Sequence, residues 1–119
     1  MRIGFCVALA AGLMVACHDE NIASHATITG TESLAFSPMT VIIEPGGDVT
    51  WRFFGVGHSV IFDGAVAGAP QDITGTNANT EIARTFSAVG TYPYHCVIHP
   101  QMVGQVIVVD AGSASVTGS

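Results

Sequence analysis

The chain has 119 residues, which is enough for one domain with its own hydrophobic core and too few for two. It contains nine acidic residues, three arginines and no lysine, so its formal charge of -6 disfavours nucleic acid and anionic membrane surfaces as direct partners. A partner with a positively charged surface is favoured instead.

Residues 1–17 have the organisation of a bacterial export signal. Arg2 provides a short positive region, an apolar run follows, and small residues lead to Cys17. The end of the segment resembles a lipobox, in which the cysteine is lipidated, although Met14 stands where Leu is usual. Lipidation at Cys17, ordinary secretory cleavage and an uncleaved anchor are the alternatives. An exported protein of the periplasm or cell envelope is the prediction.

The three cysteines are consistent with export followed by metal binding. Cys6 would leave with the signal and Cys17 would carry the lipid, so Cys96 is the one thiol left in the mature domain. An exported domain with a single cysteine has no disulfide framework. A lone thiol in an oxidising compartment is open to oxidation unless a metal ion occupies it.

The remainder of the chain is divided by composition. Residues 18–31 are interpreted as a polar tether that leads into a candidate first strand at residues 25–29. His18 and His25 lie in this segment, and each is either a solvated side chain or an additional metal ligand. The main domain is predicted at residues 32–110, followed by a flexible tail rich in Gly, Ser and Ala at 111–119.

Short strands separated by Gly and Pro turns are expected throughout the main domain. Residues 41–53 predict two strands joined by a turn at 44–48, with Val49, Trp51 and Phe53 facing the core.

Further strands are predicted at 58–62, where His58 shares the inward face with Val60, and at 81–86 and 106–109. Residues 64–80 show no lasting periodicity and are interpreted as a long connection without a catalytic motif. This pattern, without any helical period, predicts an all-β sandwich.

One more strand is predicted immediately before the third cysteine. Tyr92, Tyr94 and Cys96 alternate with polar or small residues and should point inward. His95 should point outward, either as a surface histidine or as a secondary position through which electrons reach Cys96.

Cys96, His99 and Met102 recur at three-residue intervals. A thiolate, an imidazole and a thioether belong to the donor set of a mononuclear copper site if the fold brings in a second histidine, for which His58 is the candidate. Thioether is a poor ligand for zinc, and calcium and magnesium prefer oxygen donors, which this loop lacks. The donor set therefore favours one copper ion per chain.

These residues carry a resemblance to a known family. The motif Tyr-x-Tyr-x-Cys-x-x-His-Pro-x-Met-x-Gly-x-Val-x-Val at residues 92–108 resembles the copper loop of the cupredoxins, the family of plastocyanin, amicyanin and pseudoazurin. Its Cys-x-x-His-x-x-Met spacing is most similar to that of amicyanin. Upstream, the stretches 36–51 and 57–60 match the same family, so the resemblance covers about residues 33–109.

The resemblance implies a cupredoxin-like Greek-key β-sandwich with a type 1 copper site. His58, Cys96 and His99 would form the ligand plane, and Met102 rather than the neighbouring Gln101 would be the long axial donor.

Ser59 departs from the family pattern, because the residue after the first copper histidine is commonly Asn. We therefore expect the hydrogen bond that ties the two ligand loops to be weaker here. Backbone groups near Ser59 and the turn at 97–98 should still donate hydrogen bonds to the Cys96 sulfur.

Three functions are compatible with these residues. The leading interpretation is an electron carrier that passes single electrons between redox partners, and the alternative is a protein that buffers or delivers copper to another protein. An enzyme with Cys96 as nucleophile and His58 or His99 as base is disfavoured, because the sequence offers no orienting acid or oxyanion motif.

The family resemblance also implies the kind of partner. His99 would expose its ring edge through an apolar patch formed with Val56, Val97 and Pro100, where a redox protein such as a cytochrome or an oxidoreductase docks transiently. We expect a monomer that contacts the membrane only through a lipid on its N-terminus.

Overall fold

In the part of the chain that the structure describes, all regular secondary structure is β-strand. The computed structural model describes residues 22–110 and, as backbone strands, residues 6–8 and 15–17. The strands are β1 (Cys6–Ala8), β2 (Val15–Cys17), β3 (Ile22–Gly30), β4 (Phe36–Ser37), β5 (Thr40–Phe53), β6 (His58–Phe62), β7 (Ile73–Asn77), β8 (Thr80–Phe86), β9 (Gly90–His95) and β10 (Val103–Val108). The all-β prediction is confirmed.

β1 and β2 pair with each other in an antiparallel arrangement.

Several predictions concern residues beyond these ranges. Three predictions lie outside the described residues: the rest of the signal at 1–17, any role of His18, and the tail at 111–119. The lipidation predicted at Cys17 is outside them too, because only the backbone of that residue is described. Within those residues, no helix is long and apolar enough to cross a membrane.

The main sheet is mixed. Its strand order is β4-β3-β5-β10-β9-β6-β7, and β8 pairs with β5. β5 is parallel to β3 and to β10, whereas β9 is antiparallel to both β10 and β6. Strands that are distant in sequence, such as β5 and β10, are therefore neighbours, as the Greek-key prediction requires.

A bend in β5 connects the two parts of the sandwich. The strand pairs with β10 through residues 40–43 and with β8 through residues 47–53. Gly46 lies between them with a φ of 86°, and the register with β3 shifts at the same place. The turn predicted at 44–48 is therefore a bend inside one 14-residue strand, where the pairing with β3 skips from Ile43 to Asp48.

β3 is longer than the strand expected at this end of the domain. The sequence predicts a tether over residues 18–31 with a candidate strand at 25–29, but Ile22–Gly30 is one strand that pairs with β5. Ile22 and Ile28 are buried, and the polar residues between them conceal the strand in the sequence. Residues 22–30 are therefore part of the sheet.

The segment 64–80, interpreted from its sequence as an irregular connection, contains β7. This strand pairs with β6 and lies at the end of the strand order. Ile73 is buried, but the Thr, Gly, Thr and Asn that follow it in the strand are not apolar. The apolar alternation that marks a strand is therefore absent. Backbone hydrogen bonds to a single neighbour hold such a strand, and they require no particular side chains.

The core forms around Trp51 on β5. Val49, Trp51 and Phe53 are all buried, as predicted. The Trp51 ring meets Tyr94 of β9 edge-on with a centroid distance of 5.4 Å and lies 6.4 Å from the ring of Phe86. Aromatic packing thus joins β5 to the strand that leads to Cys96.

Tyr92 and Tyr94 are both buried on β9 but differ in hydrogen bonding. The Tyr92 hydroxyl donates to the Ala88 carbonyl at 2.6 Å. The Tyr94 hydroxyl and the Trp51 indole N–H make no hydrogen bond of good geometry among residues 22–110, although the indole lies close enough to the phenol to influence its pKa. Burial raises the pKa of Tyr94, and the nearby Trp51 opposes this shift only in part, so the phenol remains neutral.

Removing each hydroxyl should therefore have different effects on stability. Tyr92→Phe should lower the free energy of unfolding of the metal-free protein by about 1 kcal/mol, because a hydrogen bond is lost. Tyr94→Phe should leave it unchanged or raise it by up to about 1 kcal/mol, because an unpaired buried hydroxyl is removed. Urea unfolding measures both values, and a larger loss in Tyr94→Phe would show that its hydroxyl is hydrogen-bonded after all.

Candidate metal centre

Three side chains meet at one end of the sheet. His58 is the first residue of β6, Cys96 directly follows β9, and His99 lies in the loop between β9 and β10. Their candidate ligand atoms all lie within 4.8 Å of one another. The fold thus brings a histidine from a distant strand to the cysteine loop, which a shared metal site requires.

The site is closed toward the protein and open at one ring. His58 and Cys96 are both 0% exposed, whereas His99 is half-buried. The Cys96 sulfur lies 3.7 Å from Nδ1 of His99, and the centroids of the two imidazole rings are 5.6 Å apart. An ion bound here would be shielded from water except on the His99 side.

Backbone hydrogen bonds close the loop from Cys96 to Met102. The Cys96 N–H donates to the Met102 carbonyl at 3.0 Å, and the Met102 N–H donates to the His99 carbonyl at 2.8 Å. The Met102 side chain is buried, while Gln101 is exposed. Of these two neighbouring residues, Met102 is therefore the one packed inside the protein.

Ser59 joins the two ligand-bearing segments. Its N–H donates to the Cys96 sulfur at 3.4 Å, and its hydroxyl lies 3.8 Å from the same sulfur. The Val97 N–H donates to the Ser59 hydroxyl oxygen at 3.0 Å. A link between the loops is thus present although serine replaces the usual asparagine, and its 3.0 Å distance is ordinary for a hydrogen bond.

His58 has the electrostatic environment of a neutral ligand. Burial is the main cause that lowers its pKa, and the nearby His99 lowers it further. The backbone carbonyls of Thr31 and Phe54 favour the charged ring but do not outweigh burial. The imidazole is therefore uncharged near neutral pH, which is the form that binds metals.

The other described histidines lie outside this group. His95, the outward residue of β9, is partly exposed and contacts the Asp63 carboxylate at 2.7 Å. His25 is exposed on β3 and contacts Asp48 at 3.1 Å. Each of these rings has a carboxylate neighbour, and neither belongs to the cluster around Cys96.

Two asparagines form hydrogen bonds with the backbone of the segment that ends at His58. Neither has a recognisable signal in the sequence. The Asn77 side chain donates to the His58 carbonyl at 2.9 Å, and the Asn79 side chain accepts from the Gly55 N–H at 3.4 Å. Both lie in residues 64–80, where no motif indicates a role, so their contacts are apparent only in the folded chain.

Comparison with known proteins identifies the family. Residues 23–109 match the sequence profile of the copper-binding proteins of the plastocyanin/azurin family. The chain belongs to this family. Amicyanin-alpha of Methylorubrum extorquens is 34% identical to it over 104 residues, which cover 85% of this chain and 85% of that protein. The cupredoxin resemblance found in the sequence is confirmed.

Solved structures agree with this assignment. A reduced Cu(I) form of an amicyanin mutant at pH 4 aligns with a TM-score of 0.63 and 27% identity, covering 73% of this chain and 90% of that chain. The purple cupredoxin from Nitrosopumilus maritimus aligns with a TM-score of 0.60 and 27% identity, covering 71% of this chain and 99% of that chain.

Copper is the metal of this family, and the site of this cupredoxin fits it. A thiol that can ionise and two imidazoles are donors that copper favours. Neither ring nitrogen of the buried His58 makes a hydrogen bond of good geometry within the described part of the chain, although the Thr31 and Phe54 carbonyls lie near the ring. An unpaired buried polar atom costs about 1–3 kcal/mol, and a coordinated ion would satisfy one of the two nitrogens.

Ser59→Ala should destabilise the metal-free cupredoxin. The change leaves the Val97 N–H without its acceptor, so the free energy of unfolding should fall by about 1–2 kcal/mol. Ser33→Ala is the control, because Ser33 has an exposed hydroxyl that contacts Thr31, and it should cost less than about 0.5 kcal/mol. Equal losses in urea unfolding would show that the Ser59 hydroxyl contributes nothing to the link.

Proposed function

We propose that the protein is a type 1 (blue) copper protein that carries single electrons between redox partners. In this proposal His58, Cys96 and His99 would hold the ion, and Met102 would supply its thioether as a weaker fourth donor. The observation that carries it is a thiol and two imidazoles gathered within 4.8 Å at one end of a β-sandwich. Bound copper would supply the Cu(II)/Cu(I) couple.

The protein around these residues suits electron transfer because it holds the donors in place. The β6–β9 pairing and the Ser59 link fix the distance between His58 and the cysteine loop. The His58 ring also lies against β3, where a Cβ on Gly30 would approach its Cδ2 to 3.1 Å. Donors that cannot move require little rearrangement when the charge of the ion changes, and this favours fast electron exchange.

The absorption and EPR spectra of the copper-loaded protein test this function. Cu(II) bound to the Cys96 thiolate should give an intense visible charge-transfer band. Cys96→Ser should remove the band because it removes the thiolate. A folded, copper-loaded wild-type protein without intense colour would contradict the proposal.

Burial of the ligands favours electron transfer over copper delivery. His58 and Cys96 are fully buried, so release of the ion to another protein would require the loop to open. We therefore expect slow transfer of copper to a chelator and fast electron exchange with a small redox protein. Rapid loss of copper without electron exchange would instead indicate a delivery function.

Met102→Leu should retain copper and raise the reduction potential. Loss of the weak axial thioether removes electron density that stabilises Cu(II), while the thiolate and two imidazoles still bind the ion. Gln101→Leu is the control, because Gln101 is exposed one residue away and should leave the potential unchanged. Loss of binding in Met102→Leu, or the larger shift in Gln101→Leu, would show that the axial role is misassigned. Voltammetry measures both potentials.

Exposed apolar residues flank the proposed copper ligands along the chain. Val56, Val97 and Ile98 are exposed for 48%, 57% and 49% of their surface, and Pro100 is also exposed beside the half-buried His99. Such a surface allows a redox protein to approach closely for a transient encounter.

The net negative charge of the protein favours a positively charged partner. The Arg84 guanidinium donates to the carbonyls of Gln71, Asp72 and Ala83. Arg52 pairs with Glu81 at 2.8 Å. Arg84 keeps its charge, but nine acidic residues outweigh three arginines and no lysine, so the net charge of -6 attracts such a partner. We propose a monomer that is exported to the cell envelope, with Cys17 as the lipidation site.

Two matched substitutions test the docking surface. Val97→Lys should slow electron exchange with a cationic cytochrome by about tenfold at an ionic strength of about 0.1 M, where the Debye length is about 10 Å, because it places a repelling charge at the contact. Val89→Lys changes the net charge equally at a valine of similar exposure, 59%, but Val89 precedes the opposite end of β9 and its rate should stay within about twofold. The potential of each variant is measured to correct the rates for driving force. Equal effects of the two changes would contradict this docking site.

A further inference from the structure

β7 packs against the segment that leads to His58. The Asn77 side-chain amide donates to the His58 carbonyl at 2.9 Å and to the Thr74 carbonyl at 3.0 Å. Gly57 lies directly against Thr76, so closely that a Cβ at this position would collide with the Thr76 methyl group. The backbone directly before β6 therefore packs against β7.

The peptide group between His58 and Ser59 is hydrogen-bonded at both ends. Its carbonyl accepts from Asn77 at 2.9 Å, and its N–H donates to the Cys96 sulfur at 3.4 Å. In a trans peptide the C=O and N–H point in opposite directions, so the two hydrogen bonds form a chain from β7 to the sulfur. Hydrogen bonds in such a chain polarise and strengthen one another.

We propose that Asn77 is a positioning residue for the copper site, acting on the Cys96 sulfur through this peptide group. The inference rests on the function proposed above and deepens it. By polarising the peptide, Asn77 makes the Ser59 N–H a stronger donor to the thiolate. A stronger hydrogen bond to the sulfur reduces its donation to Cu(II) and therefore raises the reduction potential.

A purely structural role for Asn77 predicts a different result. In that case the loss of its hydrogen bonds would lower the stability of the sheet without reaching the sulfur. Three measurements report on the Cys96 sulfur and its hydrogen bond: the reduction potential, the visible spectrum and the hydrogen exchange of the Ser59 amide with solvent. Global unfolding does not report on them. These measurements therefore separate the two roles.

The test compares Asn77→Ala with Tyr92→Phe. Each change removes side-chain hydrogen bonding to the backbone, but the Tyr92 hydroxyl contacts Ala88, before the start of β9 and far along that strand from Cys96. Asn77→Ala should lower the reduction potential and shift the visible band of the copper-loaded protein. In the metal-free protein its Ser59 amide should exchange about fivefold faster than in wild type. Tyr92→Phe should leave the potential, the band and the Ser59 exchange unchanged.

Asn77→Val provides a second test, because valine favours strands and keeps β7 formed if the alanine variant fails to fold. Wild-type potential and Ser59 exchange in a folded Asn77 variant would overturn the inference while leaving the proposed function intact. A colourless copper-loaded wild type would instead overturn the proposed function. Because the hydrogen-exchange experiment uses metal-free protein, it decides in either case whether Asn77 strengthens the hydrogen bond from the Ser59 N–H to the Cys96 sulfur.

Discussion

The proposed copper site depends on the hydrogen bonds between Ser59 and the cysteine loop. The donors come from two distant places in the sequence, and the Ser59 to Cys96 contact spans 37 positions. The β-sheet brings β6 beside β9, but the pairing ends at Ile61 with His95. Beyond that pair, Ser59 holds the His58 backbone against the Cys96 sulfur and the Val97 N–H. These hydrogen bonds hold the two segments that carry the proposed donors together without an ion.

The core explains why the cysteine points into the protein. Tyr92, Tyr94 and Cys96 follow the period of two along one face of the chain, and all three are buried. Trp51 packs edge-on against Tyr94, which holds β9 against β5. The same packing that stabilises the sandwich therefore delivers the thiol to the site, and a shift of β9 by one residue would turn Cys96 outward and His95 inward.

Much of this arrangement could be predicted from the sequence, because its signals are local. The spacing of Cys96, His99 and Met102 indicates a donor set, and the alternation of Val49, Trp51 and Phe53 indicates a buried strand face. Ladder pairings could not be predicted, because they depend on residues distant in the chain. This is why β3 begins earlier than expected, why the turn at 44–48 is a bend, and why β7 was missed.

The environment of the site was predictable only in outline. Serine at position 59 suggested a weaker link between the ligand loops, but the hydroxyl reaches the Val97 N–H at an ordinary distance. Whether a shorter side chain can reach depends on the backbone separation, which the sequence alone does not contain. Asn77 had no recognisable signal, since its partner is a main-chain carbonyl that any residue would present.

The position of β7 at the end of the strand order has a consequence for how the protein would open. An outer strand has one neighbour in the sheet, and such strands exchange with solvent at a lower free-energy cost than the centre of the sandwich. Separation of β7 from β6 would remove the Asn77 hydrogen bond from the His58 carbonyl, while the β6–β9 pairing and Ser59 keep His58 beside the cysteine loop. Fraying of this outer strand would therefore alter the hydrogen bonding around the proposed copper site without releasing the ion, whose loss requires the cysteine loop to open as well.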